Sequence, residues 1–276
     1  MTRYICKQCG TQYPDSGAPP AGCAICEDDR QYVRWTGQDW TTLDELRRTH
    51  ALRFTEEGEG IAGIPMEPAF AINQRPLLLQ SPAGNVLWDC VSLVTDEAVA
   101  EIKRRGGLTA IAISHPHYYT AMLEWSAAFG GVPVYLHADD RQWVMRPGPE
   151  IVHWTGETLA LNSEMTLIRC GGHFPGGQVL HWSRAEGGRG ALMTGDIVMV
   201  VLDRRYVSFM YSFPNYIPLN ATAVRRIAAA LAPYAFDSIY GGWTNQKIIG
   251  GAKHAVEVSV ERYVKAIGQV TMRARG

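Results

Sequence analysis

Two Cys-x-x-Cys pairs lie within the first 26 of 276 residues: Cys6 with Cys9, and Cys23 with Cys26. The segment up to about residue 35 is short, poor in apolar residues and rich in Gly and Pro, so it cannot build a hydrophobic core by itself. Each pair can point two thiolates at one centre, and two pairs complete a tetrahedron of soft ligands at about 2.3 Å around Zn²⁺ or Fe. The sequence therefore predicts a small N-terminal domain, residues 1–35, that folds around one metal ion.

The N-terminal cysteine pattern is similar to that of zinc ribbons and rubredoxin-like knuckles. The resemblance covers about residues 4–34, and Gly10 after the first pair fits it. Only 13 residues separate the two pairs, slightly fewer than is usual for a four-cysteine zinc site. Glu27 rather than Gly follows the second pair, which favours zinc over rubredoxin-type iron. The resemblance implies zinc, with iron as the alternative, held by Cys6, Cys9, Cys23 and Cys26.

Charge and hydropathy limit the partners and the compartment. The chain has 26 Lys and Arg against 27 Asp and Glu, so it has no basic excess to pair with nucleic acid or anionic lipid. The first ten residues contain no apolar signal segment, and no stretch approaches the roughly 20 apolar residues of a membrane span. We therefore expect a cytoplasmic protein with no nucleic-acid or membrane partner. In that reducing compartment, paired cysteines favour a metal over a disulfide.

The rest of the chain is predicted to contain a connector and one large domain. Thr42 and Glu45 form a capping box that opens a short helix ending near Thr49, and the TEEGEGIAG run behind it predicts a loop. We therefore assign residues 36–63 to the connector and residues 64–276 to the large domain.

The large domain contains β-rich runs and helical spacings in an order that occurs twice. The predicted strands are AFAINQ, PLLLQ, VLWDC, LTAIAIS, VPVYLH, IVHW, TLAL, MTLIRC, QVLHW, ALMTGDIVMVV and FDSIYGG. The predicted helices are TDEAVAEIKRR, YTAMLEWSAAF, ATAVRRIAAALAPY and AKHAVEVSVERYVKAI. This order predicts a four-layer α/β sandwich, in which two mixed sheets are covered by helices on their outer faces.

Side chains that bind metals in proteins lie at the ends of several predicted strands. His115 and His117 follow LTAIAIS on a loop that precedes a helix, so two imidazoles can converge on one ion. Asp89 in VLWDC, His173 in GGHFPGG and Asp196 in ALMTGDIV also lie at strand ends. Their common position predicts one metal site in the large domain.

The spacing of these residues resembles that of the metallo-β-lactamase superfamily. Its motifs are a strand-end Asp, an H-x-H-x-D-H loop, a later G-H-x-P-G, a T-G-D and a final His, and the resemblance runs from about residue 64 to 268. It implies an αββα metallo-β-lactamase sandwich in which Asp89 orders the histidine loop and Asp196 is a further ligand or a proton acceptor. The implied histidine ligands are His115, His117 and His173.

The chain departs from the superfamily at the second metal site. Tyr119 and Thr120 stand where the superfamily has the Asp and the last His of its loop motif, and Trp243 stands where it has the final His. The resemblance therefore implies one zinc or iron ion in the large domain rather than two. We count Tyr119 with Asp196 as a candidate catalytic residue, since a phenol there could hydrogen-bond a substrate or a bound water.

The residues leave three hypotheses for the function. The first is a metal-dependent hydrolase that uses hydroxide bound to a single ion to attack an ester, thioester or amide of a small-molecule substrate. The second is an iron-dependent enzyme of the same fold that carries out redox chemistry or oxygenates sulfur compounds. The third is a non-catalytic member that binds a ligand or a protein. The aromatic segment 206–216 is typical of a core, a pocket wall or the interface of a homo-oligomer.

Overall fold

Two β-sheets packed face to face, with helices on both outer sides, make up most of the computed structural model, which describes residues 1–268. The predicted four-layer α/β sandwich is therefore confirmed. The last part of the predicted large domain, residues 269–276, lies outside the described residues. Within the part that is described, no helix combines the length and the apolar character needed to cross a bilayer.

Three short strands surround the four N-terminal cysteines. They pair in the order second, first, third, and are β1 (Thr2–Cys6), β2 (Gln12–Ser16) and β3 (Trp40–Thr42). Helix α1 (Leu43–Thr49) begins after Thr42, whose side chain accepts a hydrogen bond from the Glu45 amide, as the capping box predicts. Because β3 pairs with β1, this small sheet extends into the predicted connector, and the boundary at residue 35 stays a prediction.

The first large sheet and its two covering helices follow. Their bounds are β4 (Ala51–Leu52), β5 (Thr55–Gly58), β6 (Ile61–Gly63), β7 (Met66–Glu67), β8 (Leu77–Leu79), β9 (Val86–Trp88), α2 (Asp96–Arg104), β10 (Ala110–Ala112), α3 (Met122–Ala128), β11 (Val134–His137) and β12 (Ile151–Trp154). The sheet has the order β12-β11-β10-β9-β8-β6-β5, and β4 pairs only with β7 among the described strands. Strands β9 to β12 are parallel, so their carboxyl ends meet at one edge.

Two predicted elements near the start of this sheet are wrong. TEEGEGIAG, predicted as a loop, forms the hairpin β5–β6, because Ile61 and Ala62 are fully buried against the sheet. AFAINQ, predicted as a strand, is a turn in which Ala71 and Asn73 have φ of 52° and 58°, outside the β region. The turn matters for function because Ala71 and Ile72 border a cavity described below.

The second large sheet carries the other two long helices. The bounds are β13 (Thr158–Ala160), β14 (Met165–Arg169), β15 (Gln178–Trp182), α4 (Ala185–Gly188), β16 (Ala191–Gly195), β17 (Met199–Val200), β18 (Val207–Ser208), β19 (Met210–Ser212), β20 (Ile217–Pro218), α5 (Ala221–Leu231), β21 (Ser238–Gly241), β22 (Lys247–Ile249) and α6 (Ala252–Ala266). The sheet order is β13-β14-β15-β16-β21-β22. The run ALMTGDIVMVV, predicted as one strand, breaks after Gly195, which places Asp196 in the turn between β16 and β17.

Buried apolar side chains fill the three spaces between the four layers. One cluster lies between the two sheets and includes Trp88, Leu167, Leu180, Met193 and Tyr240. Two further clusters join α2 and α3 to the first sheet, and α5 and α6 to the second. Burial of each large apolar side chain contributes about 1.5–3 kcal/mol. The packed layers therefore hold the strand ends, and the polar side chains on them, at fixed positions.

Candidate metal centres

Four side chains predicted as metal ligands meet at one edge of the two sheets. His115 and His117 follow β10, His173 follows β14, and Asp196 follows β16. All four are buried, and one ligand atom from each lies within 4.8 Å of the others. The structure thus brings together residues that are up to 81 positions apart, because it aligns the ends of the strands that carry them.

The distances between these atoms fit a single ion. His173 Nε2 lies 3.3 Å from His117 Nδ1, and Asp196 Oδ2 lies 3.5 Å from His115 Nε2 and 3.9 Å from His173 Nε2. Nitrogen and oxygen ligands at about 2.0–2.2 Å from a tetrahedral Zn²⁺ lie roughly 3.3–3.6 Å apart. His115 Nε2 is buried and has no hydrogen-bond partner. An ion at the centre would satisfy it.

The histidines are held in the form that binds metals. His173 Nδ1 lies 3.2 Å from the Met210 carbonyl oxygen, which can only accept, so Nδ1 carries the proton and Nε2 has a free lone pair. Burial, followed by the neighbouring His115, lowers the pKa of His173 to about 3. Burial also lowers the pKa of His117 well below its usual value. Both imidazoles are therefore neutral near pH 7.

Asp196 is the carboxylate of the cluster. Burial opposes its ionisation, but the neighbouring His115 and His173 hold the pKa of Asp196 below its usual value. The Tyr118 hydroxyl donates a hydrogen bond of 2.5 Å to Asp196 Oδ1, which leaves Oδ2 facing the histidines. A Cβ atom at Gly242 would lie 2.3 Å from the Tyr118 hydroxyl oxygen, so only glycine there leaves room for this bond.

Asp89 lies directly behind the histidine loop. Its Oδ1 accepts hydrogen bonds from the Ser114 amide at 2.7 Å and the Ser114 hydroxyl at 2.8 Å. The same hydroxyl lies 2.8 Å from His115 Nδ1. Because it donates to Asp89, it accepts from His115 Nδ1, which makes Nε2 the nitrogen that can bind a metal in this tautomer. Burial raises the pKa of Asp89 to about 8. This position is the one predicted for a residue that orders the loop.

Tyr119, Thr120 and Trp243, at the positions of the superfamily's second metal site, do not form a second cluster of metal ligands. Tyr119 and Thr120 border a crevice that is also lined by Gln12. The backbone N–H of Gln12 donates to the Thr120 carbonyl at 3.2 Å. Trp243 borders the cavity beside the candidate metal centre, and its Nε1 donates to the Ile72 carbonyl at 2.8 Å. Among the described residues, the two metal-like clusters are the His/Asp group and the four cysteines.

Tyr118, rather than Tyr119, contacts the candidate metal centre. Neither phenol borders the cavity, but the Tyr118 hydroxyl holds Asp196, whereas no described hydrogen bond joins Tyr119, predicted as catalytic, to the His/Asp group. The two phenols are adjacent, and the 3₁₀ turn Pro116–Tyr118 decides which of them points inward. The sequence gives no signal for this choice beyond the closeness of both residues to His117.

A cavity of about 180 Å³ adjoins the candidate metal centre. It is smaller than the roughly 300–1,000 Å³ of sites that hold drug-sized ligands. His117, His173 and Asp196 form part of its wall, together with the aromatic Phe213 and Trp243. Another part of the wall comes from the N-terminal segment and consists of Gln8, Arg30, Gln31 and Tyr32, which no sequence pattern indicated.

The four N-terminal cysteines form the second candidate metal centre. Cys6 Sγ lies 3.6 Å from Cys26 Sγ, and Cys9 Sγ lies 3.6 Å from Cys23 Sγ. Thiolates at about 2.3 Å from a tetrahedral ion lie roughly 3.8 Å apart, so the four sulfurs fit one Zn²⁺ or Fe. All four side chains are buried, and the cluster packs against few other apolar residues. The predicted four-cysteine group is therefore present.

Asp140, which lies beside the loop that follows His173, allows a test of how burial of a carboxyl group changes the free energy of unfolding. Its Oδ1 accepts a hydrogen bond of 2.8 Å from the Gly176 amide in the loop after His173, and burial raises its pKa to about 7. The folded state therefore keeps a proton that the unfolded state loses near pH 4, so stability falls as the pH rises towards 7. Between about pH 5 and 8, the free energy of unfolding of the wild type should fall roughly 2 kcal/mol more than that of Asp140→Asn, measured by urea denaturation.

Asn at position 140 keeps an oxygen that can accept from Gly176, so the substitution removes the titration with little change in contacts. The exposed Asp44, whose side chain is 89% accessible, provides the control Asp44→Asn, which should follow the wild-type pH dependence. Equal pH slopes for the wild type and Asp140→Asn would contradict the prediction.

The architecture and the His/Asp group define a protein of the metallo-β-lactamase fold. Solved structures with this fold include DIM-1 metallo-beta-lactamase, which is 16% identical, has a TM-score of 0.58, and is matched over 79% of this chain and 98% of its own. Another is the metallo-beta-lactamase SMB-1 in complex with mercaptoacetic acid, at 16% identity and a TM-score of 0.53, over 78% of this chain and 96% of its own. At these identities the similarity establishes the fold.

A closer relative establishes the family. "Uncharacterized protein YmaE" of Bacillus subtilis (strain 168) is 45% identical over 269 residues, which make up 97% of this chain and 97% of that protein. The chain therefore belongs to the YmaE family, within the metallo-β-lactamase fold. No protein-family model matches the sequence.

Proposed function

We propose that the protein is a metal-dependent hydrolase that cleaves an ester, thioester or amide bond of a small molecule with one zinc ion in the large domain. The observation that carries the proposal is the buried His/Asp group, whose donor atoms lie within 4.8 Å of one another beside a cavity. Zinc bound in this way would supply Lewis acidity, the basis of catalysis by zinc enzymes that keep a coordination position open. The metallo-β-lactamase fold of the chain agrees with this chemistry.

The residues of the chain have distinct roles in the proposed reaction. His115, His117 and His173 hold the ion. Asp196 Oδ2 faces the same centre and can accept a proton from water, which leaves a coordination position beside the three histidines open. The four donor side chains are themselves buried, so the electrostatic interactions among them are screened less than in bulk water.

A screen of metal-loaded protein tests the proposed activity. The purified protein would be loaded with Zn²⁺ and assayed with chromogenic esters, thioesters, anilides and a lactam, and each assay would be repeated after treatment with a chelator. Hydrolysis that disappears with the metal and returns when zinc is added would support the proposal. A large-domain site that holds zinc without hydrolysing any member of the panel would count against it.

Tyr118→Phe tests whether Asp196 is oriented by the phenol. The substitution removes the hydroxyl that holds Oδ1 and keeps the ring, so Asp196 becomes free to rotate. Outer groups that orient metal ligands typically contribute 10–100-fold to metal affinity. We expect Tyr118→Phe to lower the zinc affinity of the large-domain site by about that factor, measured by competition with a chromophoric chelator.

Tyr119→Phe is the matched control, since it makes the same change one residue later, at a side chain that no described hydrogen bond connects to Asp196. It should bind zinc with wild-type affinity. Equal affinities for Tyr118→Phe and the wild type would show that Asp196 does not depend on the phenol.

An iron-dependent redox enzyme is the second candidate function. The contact that favours it is the hydrogen bond of 3.4 Å from Arg30 Nη1 to the His173 carbonyl, because it joins the four-cysteine segment directly to a ligand of the other centre. Iron bound by four thiolates has a red colour, whereas the zinc form is colourless. A red protein that contains two iron equivalents would favour redox chemistry, and a colourless protein that contains zinc would favour hydrolysis.

A further inference from the structure

We propose that the four-cysteine segment, residues 1–35, contributes to metal binding in the catalytic pocket, and that Arg30 is a positioning residue for the metal ligand His173. The inference rests on the large-domain metal centre of the proposed function. It predicts that the two centres are coupled, so that an ion bound by the cysteines increases the metal affinity of the histidines.

The first observation is that the segment closes one side of the pocket. Gln8 lies between the two cysteines of the first pair, and Arg30, Gln31 and Tyr32 follow the second pair closely. All four border the same cavity as His173. Part of the wall of the histidine centre is therefore made of residues within a few positions of the other metal's ligands.

The second observation is the environment of Arg30, whose accessibility is only 8%. Asp28 accepts hydrogen bonds of 2.5 Å and 2.8 Å from the guanidinium, which balances its charge. The guanidinium carbon lies 3.9 Å from the centre of the Phe174 ring, next in the chain to His173. The same group donates to the His173 carbonyl at 3.4 Å. Arg30 therefore holds both the backbone of His173 and the ring beside it.

The third observation is a second connection to the same histidine. The Met210 carbonyl fixes the His173 imidazole, and the β19–β20 hairpin, which begins at Met210, is bonded to the four-cysteine segment. Ser212 Oγ donates to the Arg30 carbonyl at 3.2 Å. Asn215 Nδ2 donates to the carbonyls of Asp29 and Gln31 at 3.0 Å and 3.1 Å. Both the backbone and the ring of His173 are thus supported from the segment.

The coupling follows from what holds the segment in place. Residues 17–39 contain no helix or strand, and their packing centres on the cysteines and a few apolar side chains. A segment of this kind owes most of its order to its metal. Loss of that ion would release Arg30 and the partners of Asn215, and would leave His173 free to move. By linkage, an ion at the histidines must in turn favour an ion at the cysteines.

Cobalt(II) titration of the full-length protein tests the coupling, because Co²⁺ gives separate signals at the two centres. Four thiolate ligands produce intense near-ultraviolet charge-transfer bands and strong visible bands at long wavelength, whereas histidine and carboxylate ligands produce only weaker visible bands at shorter wavelength. In Arg30→Gln, which keeps all four cysteines, we expect at least a tenfold loss of cobalt affinity at the histidine centre and a shifted visible band at saturation. The thiolate bands should remain unchanged. Cys26→Ser should weaken the histidine centre further.

Arg34→Gln is the matched control, since Arg34 lies on the same segment but donates only to Gln8 Oε1 and the Lys7 carbonyl among the described contacts. It should bind cobalt at the histidines as the wild type does. Asn215→Ala removes only the hydrogen bonds from Asn215 to the carbonyls of the four-cysteine segment. It should give an intermediate loss of cobalt affinity at the histidine centre, and it tests the coupling if Cys26→Ser does not fold.

The outcomes separate this inference from the proposed function. Wild-type affinity and an unshifted visible band in both Arg30→Gln and Asn215→Ala would overturn the inference, while the metal centre itself would stand. Equal losses in Arg30→Gln and Arg34→Gln would also overturn it, because the effect would then be a general loosening of the segment. If the wild type binds cobalt without the short-wavelength visible band of histidine and carboxylate ligands, both the metal centre and this inference would be overturned.

Discussion

Replacing His173 by alanine should remove the ion of the large domain and with it the proposed hydrolysis. The two remaining imidazoles and one carboxylate would hold a borderline metal much more weakly and with poor geometry. Lewis-acid stabilisation supplies several kcal/mol, and each 1.36 kcal/mol is a factor of ten in rate. We therefore expect a loss of at least about 1,000-fold in kcat/KM, together with a fall of one metal equivalent by elemental analysis.

His254→Ala is the control for this substitution, because His254 is exposed on α6 and borders a different surface pocket. It should keep both ions and full activity. A His173→Ala protein that keeps two metal equivalents after dialysis would show that the ion does not depend on the histidine cluster.

The sequence was sufficient to predict which four side chains meet in the candidate centre, because each lies where a strand ends. His115, His117 and Asp196 follow buried strands whose apolar runs are visible in the sequence, and the sheet order then brings these ends together. Such positions depend on local patterns and on the layered packing, both of which leave a signature in the sequence.

The direction of a side chain on the histidine loop could not be predicted in the same way. Tyr118 lies in a 3₁₀ turn, and Thr120, two residues later, has a φ of 32°. This backbone path turns Tyr118 towards Asp196 and Tyr119 away from it. The room for Tyr118 is provided by Gly242, more than 120 positions further along the chain, so no local pattern contains the information.

The docking of the four-cysteine segment is a long-range feature of the same kind. Gly10, which has a φ of 82°, lies so close to the large domain that a Cβ atom there would come within 2.5 Å of Ser92 Oγ. Instead, the Ser92 hydroxyl donates to the Gly10 carbonyl at 2.7 Å. The cysteine spacing predicted that this segment binds a metal, but only the folded chain places it over the pocket.

Cys23→Ser should have the second large effect, because it removes one of four ligands from a segment with almost no core. Apparent metal-binding energies of structural zinc sites are about 10–16 kcal/mol, and a segment of this kind folds only with its ion. We expect the variant to lose one metal equivalent at saturating zinc and to be cleaved by protease within residues 17–35, while the sandwich keeps its cooperative thermal transition. The lone buried Cys170 provides the control Cys170→Ser, which should keep both ions and resist the protease. A Cys23→Ser protein with two metal equivalents and an intact N-terminal segment would mean that three cysteines, together with the docking contacts of Gly10 and Arg30, suffice to hold the ion and to order the segment.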